Sequence, residues 1–160
     1  MKILIDGEFF AEWKGSLEEL AEFLRQQGDD IDIARLSYDT ADLAASLIPK
    51  NNAAFEQAML ALTADYPPSE ISSWERQRAE ALGWQADNTA PTPWIDVAAQ
   101  VRGVPRAEYL QRTAAKVALF AQASAFLVGR RQAIDDAIRQ ATTSAELEAI
   151  VIDYTLPGDA

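Results

Sequence analysis

Whatever chemistry this chain performs falls to carboxylates, Lys, Tyr, Ser and Thr, because its 160 residues include no His and no Cys. A Ser-His-Asp triad, a Cys-His nucleophile, a Cys/His zinc site and a disulfide framework are excluded outright. The carboxylate spacings nearest to a catalytic pair are Glu18/Glu22 and Asp135/Asp136. Acid–base hydrolysis needs two carboxyls about 5–10 Å apart in a cleft, one with a raised pKa. Nothing around these pairs marks a cleft, and a solvated helix face is their ordinary role. Asp29-Asp30-x-Asp32 resembles the start of a calcium loop but lacks the Gly of the sharp turn and the distal bidentate Glu. It reads as a helix-to-strand turn. Gly-rich phosphate loops are absent. The expectation is a protein that is no enzyme and has no cofactor and no metal site.

Charge narrows the partners. The 25 acids and 14 bases leave a net charge of -11, which argues against a phosphate-backbone binder. The acid is uneven: residues 1–70 carry 14 acids and 5 bases, residues 71–160 carry 11 acids and 9 bases. No signal-peptide core and no run of about 20 apolar residues is present, so neither nucleic acid nor membrane is expected as a partner.

The elements that must position these side chains read as α+β: a small N-terminal sheet with a helix packed on it, then a mainly helical C-terminal part. Lys2–Ile5 and Glu8–Trp13 flank Asp6-Gly7, a type I′ hairpin turn. Ser16 with Glu19 is a capping box, Leu17, Leu20, Ala21 and Leu24 follow at helical spacing, and Gly28 is the stop. Asp30–Leu36 alternates as a third strand. A helix capped near Thr40 is expected to end at Pro49, and another to span Asn52–Ala64. Tyr66-Pro67-Pro68 marks the boundary between domains at 1–64 and 65–160. A helix over Ser69–Ala86 follows. Thr92-Pro93 opens another, which ends at Gly103.

The longest helix spans about 105–141. Leu110, Thr113, Val117, Phe120, Ser124, Leu127, Arg131, Ile134 and Ile138 alternate spacings of three and four along it. Gly129, Ser124 and Arg131 weaken this seam. Thr143 and Glu146 form a second capping box.

One compound string is more specific than any of its pieces: Trp74-x-x-Gln77, Trp84, Thr92-Pro93-x-x-Asp96 and Arg102-Gly103, followed by Ala115-Lys116-Val117 and Gly129-Arg130-Arg131-Gln132. From about residue 65 to 152 the chain resembles the helical segment of bacteriophage tail-fibre assembly proteins. The resemblance implies a chaperone that binds the trimeric receptor-binding tail fibre and assists its folding, working in the host bacterial cytoplasm during phage assembly or staying on the virion tail. The alternative it leaves open is a structural tail or baseplate component that oligomerises through the long helix.

A chaperone of this kind works by contact. The residues expected to meet the partner are Phe9, Phe10, Trp13, Tyr66, Trp94, Arg130 and Arg131. Adjacent Phe9 and Phe10 cannot both face one core, because strand side chains alternate. Trp74, Trp84 and Trp94 are read first as core aromatics. The basic residues Arg102, Arg106, Arg112, Lys116 and Arg139 are read first as a solvated face, and as partners for acidic surface second.

Overall fold

A computed structural model describes residues 1–158, and its architecture is α+β. Strands β1 (Lys2–Ile5), β2 (Glu8–Glu12) and β3 (Leu36–Tyr38) form an antiparallel sheet in the order β2-β1-β3. Seven α-helices accompany it among the described residues: α1 (Leu17–Gln27), α2 (Thr40–Ala61), α3 (Pro68–Ile71), α4 (Trp74–Ala86), α5 (Pro93–Arg102), α6 (Arg106–Gln140) and α7 (Ser144–Glu148). Contacts divide the chain into two compact units. One is Met1–Phe55 with Arg130–Tyr154, the other Glu56–Gly129 with the residues from Thr155 on.

In the first unit the Asp6-Gly7 turn has positive φ at both residues, 51° and 86°, as the type I′ hairpin requires. Ile3 pairs with Ala11 and Leu4 with Phe9, so Phe10 is an extra residue in β2. The bulge settles the two neighbouring rings: Phe10 packs on the core of Ile3, Leu20, Ala21 and Leu36, while Phe9 is 63% exposed. The α1 capping box forms as the sequence expects, with Ser16 and Glu19 exchanging hydrogen bonds and Gly28 at φ 97°.

The third strand is shorter and later than its alternation suggests. The Asp32 carboxylate accepts a hydrogen bond from Ala34 N–H at 3.0 Å and folds Ile33–Arg35 into a 3-10 turn, so pairing begins only at Leu36. Helix α2 also departs from expectation. Asp39 rather than Thr40 caps it, accepting from Asp42 N–H at 3.0 Å, and it runs on through Pro49. Pro49 removes one backbone hydrogen bond. Burial of Leu43 and Asn51 and packing of Leu47 and Ile48 on either side keep the helix continuous.

Asn51 is fully buried. Its Nδ2 donates to Arg131 O at 3.1 Å and Asp135 Oδ1 at 3.2 Å, and its Oδ1 accepts from the Tyr154 hydroxyl. This polar knot joins α2, α6 and the irregular segment that carries Tyr154. Beside it, Leu43, Ile134, Ile138 and Leu147 form the apolar core.

In the second unit the expected helix over Ser69–Ala86 is two helices. Ser72 Oγ donates to Ser69 O and Ser73 Oγ to Glu70 O, diverting those carbonyls at the break between α3 and α4. Helix α5 ends at Gly103, φ 65°. Ala81, Ile95, Ala99, Tyr109, Leu110 and Ala114 form this unit's core, with Trp84 and Trp94 packed on it.

Candidate functional site

The stripe along α6 is covered unevenly. Leu110 and Thr113 are buried, as are Leu127, Ile134 and Ile138, whereas Val117 and Ser124 are half-buried and Phe120 is 37% exposed. At this opening the second unit carries a groove of about 700 Å³. Its wall is a chain of three rings. Tyr66 meets Trp74 edge-on at 5.1 Å and 83°, and Trp74 meets Phe120 at 5.8 Å and 76°. Such T-shaped pairs are favoured by the ring quadrupole and hold one another in place.

The groove's polar groups are largely committed inward. Lys116 Nζ donates to the Tyr66 hydroxyl at 3.1 Å and lies 5.3 Å from that ring's centre. Thr113 donates to Tyr109 O, Gln77 to Ser73 Oγ, and Ser124 to Ala121 O. Around the rim stand Arg78, Arg102, Arg112 and Lys116 against Glu70 and Glu75. Arg78 pairs with Glu75 at 3.6 Å and Arg112 with Glu108. Arg102 stacks over Tyr109 at 5.4 Å. Among the described residues, neither Arg102 nor Lys116 forms an ion pair. The rim is therefore net positive on a strongly acidic chain.

The elements that carry the groove are fixed by polar ties outside it. Glu80 of α4 reaches the N-terminus of α5, where its carboxylate accepts from Trp94 N–H at 3.1 Å and Ile95 N–H at 2.9 Å. Thr92 precedes Pro93 as expected but makes no side-chain cap. Its hydroxyl donates instead to Asp96 at 2.8 Å and accepts from Arg106 Nε at 3.1 Å, and Arg106 pairs with Asp96 at 2.7 Å. The hydrogen bonds from Thr92 and then Arg106 hold the Asp96 carboxyl below its ordinary pKa. The motif residues Gln77, Thr92 and Asp96 thus order helix ends.

The expected partner-binding residues are spread over both units. In the first, Phe9 is exposed and Phe10 packs inward; Trp13 lies against Phe23 at 5.4 Å, its indole N–H buried with no hydrogen-bond partner among the described residues. Arg130 donates to the carbonyls of Asp153 and Val151, and Arg131 binds Asn52 and Asp135 while lying over Phe55. In the second, Tyr66 stands in the groove wall and Trp94 is half-buried against the core. Sequence reasoning missed Trp74, Phe120, Lys116 and Arg102 as a set. The signal was present only in that Phe120 and Val117 lie on the apolar stripe that Trp74 must either cover or leave open.

Asp135, one of the carboxylates considered for acid–base work, is occupied by Asn51, Arg131 and Arg139. Glu22 pairs with Arg25. No described helix is long and apolar enough to cross a membrane.

Over residues 115–152 the chain is similar to the family described as the HI1402 helical domain. The matched span runs from within α6 through α7. No curated protein and no solved structure matches the chain.

Proposed function

We propose that this protein is a tail-fibre assembly chaperone of a bacteriophage, binding the receptor-binding fibre and assisting its folding and trimerisation. The observation that carries the reading is the open aromatic groove on the second unit: apolar walls, polar groups largely committed within the protein, and an exposed stretch of α6. Such a surface suits contact rather than catalysis. An intertwined fibre trimer folds slowly through non-local contacts and exposes apolar surface meanwhile. A stoichiometric partner shields that surface by binding energy alone. The test is co-expression with the cognate tail fibre. Soluble trimer should form with the native chain and fall with Trp74→Ala, and the two should co-purify. Equal trimer yield without the chain, and no co-purification, overturns the reading.

One observation favours the alternative of a structural tail component. Leu119 and Phe126 lie seven residues apart on one face of α6 and are both exposed. Light scattering decides it: a stable oligomer dispersed by Phe126→Lys supports self-assembly, and a monomer at all concentrations removes it.

A further inference from the structure

We infer that the Tyr66–Trp74–Phe120 groove takes a single amphipathic helix of the partner protein, apolar toward the three rings and carrying carboxylates along its flanks. The inference rests on the chaperone reading for the source of that helix and on the groove's own chemistry for its form.

Form follows from backbone hydrogen bonding. The groove is walled by α3, α4, α5 and α6 and by the turn that carries Leu62 and Tyr66, and the second unit has no strand among its described residues. An extended segment laid there would find no sheet edge to complete its N–H and C=O groups, and burying them unpaired against rings is costly. A helix satisfies its own backbone and presents only side chains. The α6 wall from Tyr109 to Ser124 is about 22 Å long at 1.5 Å per residue. That length accommodates anchors at i, i+3, i+4 and i+7. A small polar ligand is a poorer fit, because Thr113, Gln77 and Ser124 already spend their hydrogen bonds within the protein.

Charge follows from the rim. Counting Glu108, which pairs with Arg112, four cations face three carboxylates there, and Arg102 and Lys116 have no ion-pair partner among the described residues. Both are exposed, on α5 and α6 respectively. Carboxylates on the flanks of an incoming helix would meet them, and a basic helix would be repelled.

The experiment uses the full chain and three fluorescein-labelled synthetic helical peptides of equal length. One has Leu at i, i+3, i+4 and i+7 with Glu elsewhere, the second replaces Glu by Lys, and the third scrambles the Leu positions of the first. Anisotropy should show the Glu peptide binding at least roughly tenfold more tightly than either of the others, with affinity falling as salt rises. Phe120→Asp should abolish binding, and the double variant R102E/K116E should reverse the preference toward Lys. Equal binding of all three, preference of the native chain for the Lys peptide, or no binding of the Glu peptide overturns the inference. Co-purification with the fibre is scored separately. If peptides bind as stated but the fibre does not, the chaperone reading falls and the groove's specificity stands. If the fibre binds native and Phe120→Asp chains alike, the groove is not its site.

Discussion

Glu80 Oε2 lies 2.9 Å from the backbone nitrogen of Ile95, and the same carboxylate takes the N–H of Trp94, so a side chain of α4 serves as the N-terminal cap of α5. The arrangement places a negative charge at the positive end of the α5 dipole. Because Thr92 makes no cap of its own, nothing local replaces it. Glu80→Ala should lower the unfolding free energy by about 1–2 kcal/mol, the usual loss of a cap, and Glu80→Gln by less, since one acceptor remains. Urea denaturation of the three chains is the measurement, and an unchanged midpoint for Glu80→Ala would show that the cap adds nothing.

The buried amide of Asn51 makes a different prediction. Asn51→Leu would leave the Tyr154 hydroxyl and Asp135 without their shared partner, at a cost of about 2–4 kcal/mol. Tyr154→Phe removes a single hydroxyl contact and should cost about 1 kcal/mol. A Leu variant as stable as the native chain would mean that the network is replaceable by apolar packing.

Pro49 interrupts the hydrogen-bond ladder of a helix that continues through it. Pro49→Ala restores a backbone donor at an exposed position, and the chain should gain about 1 kcal/mol or more in stability with added helical circular dichroism. A loss of stability would indicate that the ring makes contacts worth more than the missing bond.

Acid should loosen the joint between α5 and the start of α6. The folded-state pKa of Asp96 is depressed, first by Thr92 and then by Arg106. Its contribution is therefore fully present above the unfolded value of about 4 and is lost as pH falls through the lower folded value. Asp96→Asn should destabilise at pH 7, with the gap to the native chain narrowing as pH falls below about 4. A thermal-melt series over that range tests it, and a gap independent of pH would exclude the carboxylate's charge as the cause.

Phe120 separates binding from folding. It is 37% exposed in the groove and meets Trp74 edge-on, so Phe120→Asp should cost about 1–2 kcal/mol of stability, leaving the chain folded while removing fibre co-purification. Loss of both together would make Phe120 a folding residue instead.

Local signals in the sequence were enough for the hairpin turn, both capping boxes, the stops at Gly28 and Gly103, and the 35-residue helix α6. Each is set by residues within a few positions of one another: Asp-Gly tolerating positive φ, a hydroxyl three residues before a Glu, an apolar repeat. The sequence also determined the absence of His and Cys chemistry. Tertiary structure decided the rest. Helix α2 survives Pro49 because Asn51 is gripped by residues 80 and more positions away. The bulge at Phe10, set by pairing with β1, chooses which Phe faces water. The α6 stripe looks uniform as a string of letters, yet it is covered at its ends and open at Val117–Ser124. Coverage depends on which distant elements reach each turn, and periodicity along one helix carries no information about that. The groove therefore became visible only when Phe120 was seen edge to face with Trp74, a distant part of the chain, and Trp74 with Tyr66.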